Sequence, residues 1–214
     1  MKDYDLAVLA GDAYAASPAG KVHDWKDLRA VVYERGELLV VTVRGTVPTS
    51  FADWERDVSG WPVMAVQHPL LGHCHSGFLT GAEGLLTTLV PALAGRRYVL
   101  SGHSLGGAVA ILLSAIQTTL GHPPELIVTW EAPRAGGSML RAVLQPIPVR
   151  QYRYGDDPVT ELPWLPGIYE HVREPLIHIG HPMLDPISCH SIAGIIAWEA
   201  SCPTSPGVTR SPNA

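Results

Sequence analysis

The feature that most constrains the fold is a strand, a tight turn and a helix that follow one another around Ser104. Residues 98–100 are apolar, G-H-S-L-G follows at 102–106, and residues 105–120 are strongly apolar with helical spacing. G-x-S-x-G is a weak signal alone, but this context is what a nucleophilic serine needs. Side chains two positions before and after the serine would collide on such a turn, so glycine stands at both. An unreactive glycine-serine loop is the alternative interpretation.

Elsewhere, apolar strand patterns alternate with helical patterns along the chain. Strand patterns lie at Leu38–Val43, Leu126–Trp130 and Val149–Tyr154, and helical patterns at residues 4–16, 78–93 and 191–198. This alternation predicts an α/β fold with a mostly parallel central sheet, flanked by helices on both faces. We expect a single domain over residues 1–200. Residues 201–214 are rich in proline, serine and threonine, which predicts a flexible tail.

Composition and charge exclude several classes of protein. The 214 residues carry a net charge of −5, which argues against a nucleic-acid partner. There is no run of about 18 apolar residues, so no transmembrane segment is expected. The first residues do not show the charged region, apolar region and cleavage site that follow one another in a signal peptide. A cytoplasmic location is therefore the default expectation, with export by a non-classical route as the alternative.

The three cysteines and a group of histidines give no metal or redox motif. Cys74, Cys189 and Cys202 are widely spaced, so we expect three thiols, with a single disulfide left open. His68, His73 and His75 surround Cys74, but no H-E-x-x-H or paired cysteines accompany them. We interpret these histidines as structural and expect no metal site and no cofactor.

A family resemblance extends across most of the chain. Residues 102–108, G-H-S-L-G-G-A, resemble the nucleophile segment of the class 3 lipases, the fungal-type triacylglycerol lipase family of the α/β-hydrolase superfamily. Five further segments resemble motifs of that family in the same order: R-G-T at 44–46, D-W-x-x-D at 53–57, H-S-G-F at 75–78, A-P-R-A-G at 132–136 and D-P-V-T-E-L-P at 157–163. The resemblance implies an α/β-hydrolase fold and a carboxylic ester hydrolase.

The orienting acid is expected after the nucleophile in the chain, because triad partners in this fold come in the order serine, acid, histidine. Asp156 and Asp157 follow the strand pattern Val149–Tyr154 and so lie in a strand-end loop. The resemblance selects Asp157, which leaves Asp156 as a solvated turn residue. Glu131, which ends the preceding strand pattern, is the alternative acid, at a position where the family more often has a small residue.

Four histidines follow Asp157 and can be considered as the base. His190 stands in a loop before the last helical pattern, and the resemblance implies that the base lies there. His181 is the alternative, whereas His171 and His178 are interpreted as structural. The catalytic set expected is therefore Ser104, Asp157 and His190. His103, next to Ser104, is interpreted as structural, with its side chain pointing away.

The oxyanion donors and a lid complete the expected site. The residue after the nucleophile, Leu105, supplies one backbone N–H, and the resemblance assigns the other donor to Thr46. Residues 51–61 have the spacing of a short amphipathic helix. Its apolar side chains form either a lid or acyl-pocket rim, or an ordinary helix packed on the core: Phe51, Trp54, Val58 and Trp61.

The sequence thus predicts a lipase or esterase that forms an acyl-enzyme on Ser104 and releases the acid with water. The expected partners are a small-molecule or lipid ester substrate and, transiently, a lipid interface, with the oligomeric state open. A phospholipase, a thioesterase or a peptidase on the same scaffold is the alternative, because the chemistry is shared. A catalytically silent, acyl-binding hydrolase fold is the remaining one.

Overall fold

The computed structural model describes residues 1–45, 62–180 and 189–201. Within them, the helices are α1 (Asp3–Asp12), α2 (Ser76–Leu93), α3 (Leu105–Thr119), α4 (Ser138–Val143) and α5 (Ile192–Ser201). The strands are β1 (Lys21–Trp25), β2 (Leu28–Arg35), β3 (Leu38–Val43), β4 (Pro62–Met64), β5 (His73–His75), β6 (Arg97–His103), β7 (Leu126–Trp130), β8 (Val149–Tyr154) and β9 (Ile177–Ile179). Short 3₁₀ helices span Pro69–Leu71 and Pro158–Glu161.

A seven-stranded sheet organises the described residues in the order β1-β2-β3-β6-β7-β8-β9. The first two pairs are antiparallel, and the four pairs from β3 to β9 are parallel. Strands β4 and β5 form a separate antiparallel pair. Because β3, β6, β7 and β8 run in the same direction, the loops after them meet at one edge of the sheet, which is where open α/β sheets place their ligands.

Both faces of the sheet are covered. Leu39, Val41 and Leu100 point into a core that contains the buried residues of α2 and α3. Their neighbours Val40 and Val99 point the other way, into a second core that includes residues of α1 and α5. Successive strand residues face opposite sides, so a strand that is apolar at every position belongs in a sheet buried on both faces. The predicted mostly parallel, two-sided α/β architecture is confirmed.

The prediction missed the most polar and the shortest strands. β1 pairs only with β2, and its pattern, K-V-H-D-W, lacks the continuous apolar run of the central strands. β4 and β5 have three residues each, too few to show a period. The helical pattern over residues 4–16 overran α1, which ends at Asp12. The single domain over residues 1–200 and the tail over 201–214 stay predictions.

No helix in the described parts of the chain combines the length and the apolarity needed to cross a membrane. Cys74 is a buried thiol whose pKa is raised to about 12 by burial. Cys189 is also buried, and Cys202 lies outside the described residues.

Candidate active site

Ser104 lies on a strained turn between β6 and α3. Its backbone has φ 60° and ψ −136°, a conformation that costs a residue with a side chain about 1–3 kcal/mol. Two hydrogen bonds fix the turn: its amide donates to the Trp130 carbonyl at 2.9 Å, and its carbonyl accepts from the Gly107 amide at 2.8 Å. The side chain is buried, and none of the described groups hydrogen-bonds to Ser104 Oγ.

Glycine is required on both sides of this turn for the reason the sequence indicated. A Cβ atom on Gly102 would lie 2.5 Å from the carbonyl oxygen of Gly106. A Cβ atom on Gly106 would lie 2.2 Å from the carbonyl oxygen of Val43, at the end of β3. Both contacts are to backbone, which cannot swing aside. The turn therefore closes against itself and against β3 only when both side chains are absent.

The loop after β3 begins in contact with the serine. Val43 pairs with Gly102 across the sheet, and a Cβ atom on Gly45 would lie 3.0 Å from Ser104 Cβ. Leu105 is the first residue of α3, where a helix leaves its backbone N–H without an intrahelical acceptor. The other predicted residues of this region fall outside the described residues: Thr46, Phe51, Trp54, Val58 and Trp61.

Asp157 and His190 are 33 residues apart in the sequence, and the fold brings their side chains together. His190 Nδ1 lies 2.9 Å from Asp157 Oδ2. Asp157 is fully buried, and its Oδ1 accepts a hydrogen bond from the Val159 amide at 3.1 Å. Asp156 is exposed, as expected for a turn residue. The structure thus places the predicted acid against the predicted base, with the carboxylate orientation fixed by its own backbone.

Two of the other histidines considered as bases have different environments. His171 is buried, with Nε2 at 2.8 Å from the Thr160 carbonyl oxygen, and burial lowers its pKa. His178 is exposed on β9. His181 lies outside the described residues. His75, in the histidine group interpreted as structural, accepts a hydrogen bond from the Phe78 amide and caps α2.

His103 is held by both of its ring nitrogens. Tyr14, two residues after α1, accepts a hydrogen bond from the Gly45 amide at 3.1 Å, and its oxygen lies 2.7 Å from His103 Nδ1. His103 Nε2 lies 2.8 Å from Glu131 Oε2. Neither nitrogen is open to Ser104, in keeping with a structural role. Yet the His103 ring centroid is 5.0 Å from that of His190, nearer the site than the sequence indicated.

Glu131, the alternative acid in the sequence analysis, lies beside the same histidine as Asp157. It directly follows β7 with φ 54°, in the left-handed region that favours glycine, and it is fully buried. Its Oε2 lies 3.8 Å from His190 Nδ1, the nitrogen that Asp157 binds. Burial, and then the charges of Asp157 and Cys189, raise the pKa of Glu131 well above its usual value.

One trio in the site has the chemistry of a metal-binding set. His103, Glu131 and His190 each place one ligand atom within 4.8 Å of the others. Each imidazole already has a protein partner there: His103 Nε2 has Glu131, and His190 Nδ1 has Asp157. The arrangement is accounted for as a buried hydrogen-bond network.

The buried carboxyl of Glu131 makes a testable contribution to stability. Because its folded pKa is raised, its contribution to the free energy of unfolding is lost as pH rises from about 4.5 towards that raised pKa, by about 1.4 kcal/mol per pH unit. Glutamine does not titrate. The unfolding free energy of Glu131→Gln, measured relative to wild type by urea denaturation, is therefore expected to increase from pH 5 to pH 7.

Glu125→Gln is the matched control for this measurement. Glu125 stands at the other end of the same strand and pairs with Arg97 in a largely exposed ion pair. The unfolding free energy of Glu125→Gln relative to wild type is expected to stay constant over the same pH range. A Glu131→Gln curve that stays parallel to wild type would contradict the raised pKa.

Comparison with known proteins assigns the family. A family model described as lipase (class 3) matches residues 40–166, which include the strained turn and Asp157. The chain belongs to the class 3 lipase family. It is 30% identical over 144 residues to the secreted mono- and diacylglycerol lipase 1 of Fusarium solani. That match covers 62% of this chain and 41% of the relative, so the chain spans about two fifths of that relative's length.

Solved structures give the same fold. The triacylglyceride lipase of Rhizomucor miehei has a TM-score of 0.65 and 22% identity, over 83% of this chain and 78% of that one. The Lip2 lipase of Yarrowia lipolytica has a TM-score of 0.63 and 18% identity, over 86% and 78%. The α/β-hydrolase fold implied by the sequence resemblance is therefore confirmed.

The expectation of a cytoplasmic location is wrong in the light of these comparisons. It depended on the first residues of the chain lacking the pattern of a signal peptide. The curated relative in the same family is named as a secreted lipase. The pattern at the start of this sequence is therefore no guide to where the protein acts.

Proposed function

We propose that this protein is a carboxylic ester hydrolase of the lipase type, with Ser104 as nucleophile, His190 as base and Asp157 as orienting acid. The observation that carries the proposal is the 2.9 Å contact between His190 Nδ1 and Asp157 Oδ2. It lies at the same sheet edge as the strained turn of Ser104, and the family supports this assignment.

The acid determines which imidazole nitrogen is available. A buried carboxylate that accepts Nδ1–H leaves Nε2 of His190 as the lone-pair nitrogen that takes a proton from the serine. Ser104 Oγ bonds to the ester carbonyl carbon as its proton passes to His190. The tetrahedral intermediate then collapses, the ester C–O bond breaks, and His190 gives that proton to the departing alcohol. Water attacks the acyl-enzyme by the same route and releases the carboxylic acid.

The charge that develops on the carbonyl oxygen needs fixed donors. The backbone N–H of Leu105, at the start of α3, is one, and the helix dipole supports negative charge at that point. We assign Thr46 as the second, since the loop that carries it begins beside Ser104. Each such donor contributes about 3 kcal/mol to the transition state.

The family and the relative support a proposal for the substrate class. The curated relative is named as a mono- and diacylglycerol lipase, which makes acylglycerol oxyesters the first substrates to test. Phe51, Trp54, Val58 and Trp61 are assigned to a lid or acyl-pocket rim, which would bring apolar side chains to a lipid interface. No organic cofactor or metal ion takes part in this chemistry.

A substrate panel tests the function. Purified protein is assayed on monoacyl-, diacyl- and triacylglycerols, a phospholipid, a thioester and an anilide that share one acyl chain, with a fluorophosphonate probe as a separate readout. Oxyesters of glycerol are expected to be the best substrates, and the probe is expected to label Ser104. A thioester, phospholipid or anilide preferred by more than tenfold would reassign the reaction. The silent acyl-binding interpretation requires no labelling and no hydrolysis.

A further inference from the structure

We propose that Glu131 is a second acid of this site, a positioning residue able to hold Nδ1–H of His190 in place of Asp157. The inference rests on the proposed function, since it assigns a role within the same triad. Two carboxyl groups then serve one imidazole. Asp157 is the hydrogen-bond partner of Nδ1 in the structure. Glu131 is the reserve acid: it bonds the same nitrogen when the charge of Asp157 is removed.

The distances support two acids on one nitrogen. His190 Nδ1 lies 2.9 Å from Asp157 Oδ2 and 3.8 Å from Glu131 Oε2. Both carboxyl groups are fully buried, so bulk water does not compete with the imidazole for either of them. A small rotation of the imidazole would exchange one hydrogen bond for the other.

A hydrogen-bond chain with a fixed direction holds Glu131. The Gly45 amide donates to the Tyr14 oxygen, so the Tyr14 hydroxyl hydrogen is directed at His103 Nδ1. Burial, together with the nearby His190, lowers the pKa of His103 well below its usual value, so the ring is neutral. Its one hydrogen must then lie on Nε2, which donates to Glu131 Oε2. Each hydrogen bond in this series is therefore donated in the direction of Glu131.

The charge state of Glu131 depends on Asp157. The groups that face its carboxyl are His103 from β6, His190, Asp157, Cys189 and, through His103, Tyr14 from the turn after α1. Burial and the charge of Asp157 both oppose ionisation. When the charge of Asp157 is removed, one of these two causes disappears, and Glu131 becomes the carboxylate that faces His190.

The proton of the neutral form has a place of its own. Among the described groups, none hydrogen-bonds to Glu131 Oε1, whereas Oε2 is bound by His103. Oε1 can therefore carry the proton while Oε2 remains an acceptor. A residue that merely filled space would not need a buried carboxyl at a position with φ 54°, where glycine has the least strain.

A double-mutant cycle tests the reserve acid. Asp157→Asn, Glu131→Gln and the double variant are compared with wild type by kcat/KM on the best ester from pH 5 to pH 10. Asp157→Asn is expected to lose about 100-fold and the double variant about 10⁴-fold, the loss found when a triad acid has no substitute. The profile of Asp157→Asn is expected to contain an inflection from Glu131 that the double variant lacks. Glu125→Gln, at the far end of β7, is expected to match wild type.

Equal rates and superimposable pH profiles for Asp157→Asn and the double variant would overturn the proposal. If the Asp157 variants do not fold, proton NMR titration of the His190 ring in wild type and Glu131→Gln decides instead. An inflection present only in wild type supports the reserve acid, and identical curves refute it. The same titration applies if wild type hydrolyses no ester, so failure of the proposed function and failure of this inference remain distinguishable.

Discussion

Ser104→Ala is expected to lower kcat/KM for ester hydrolysis by about 10⁵-fold or more, because removal of a catalytic serine leaves only binding and oxyanion stabilisation. Fluorophosphonate labelling is expected to disappear with it. The hydroxyl has no hydrogen-bond partner among the described groups, so its loss leaves no described group unpaired. The melting temperature is therefore expected to stay close to that of wild type. Initial rates, labelling and thermal melting measure the three effects.

Ser114→Ala is the matched control for the loss of a buried hydroxyl. Ser114 lies within α3, and its Oγ donates to the Ala110 carbonyl at 2.7 Å inside the same helix. This substitution is expected to leave kcat/KM within about twofold of wild type, because the Ser114 hydroxyl bonds within its own helix and takes no part in the proposed reaction. If both variants keep wild-type rates, Ser104 is not the nucleophile.

The central elements could be predicted because each is a strong local pattern. Leu126–Trp130 and Val149–Tyr154 have the same bounds in the sequence prediction and in the structure. The first is a continuous apolar run and the second alternates between apolar and polar residues. Such local patterns are enough to predict a strand. β1 has too little apolar character for that test, and its place depends on its pairing with β2.

The pairing of Asp157 with His190 could also be anticipated, since the order of triad residues and a family resemblance both point to it. The chain from Tyr14 through His103 to Glu131 could not. It joins Tyr14 to His103 across 89 residues and His103 to Glu131 across 28, and a single sequence gives no signal for such contacts. Its only local trace was a glutamate at the end of an apolar strand. The sequence shows that Glu131 is a charged residue next to an apolar strand, whereas only the packing of the fold shows what Glu131 contacts.

Gly106→Ala is expected to lower the free energy of unfolding by about 3 kcal/mol, the upper part of the usual range for overpacking. The added Cβ atom would lie 2.2 Å from the Val43 carbonyl oxygen and 2.6 Å from the Arg44 carbonyl carbon. Alanine's higher helix propensity returns at most about 1 kcal/mol, so the clash decides the sign. Relief of the clash moves the end of β3 away from α3, and a displacement of about 1 Å at Ser104 lowers kcat/KM by about 100-fold. Urea unfolding and initial rates measure both effects.

Gly77→Ala separates this clash from the general effect of adding a methyl group to a helix. Gly77 is the second residue of α2, as Gly106 is of α3, but the nearest atom to its Cβ position is His75 Cε1 at 3.4 Å. Alanine is therefore expected to leave the free energy of unfolding unchanged or raise it by up to about 1 kcal/mol. Equal losses of stability in the two variants would mean that the contact between Gly106 and β3 is not what holds the serine turn closed. The close approach of β3 would then be a consequence of the turn and not its cause.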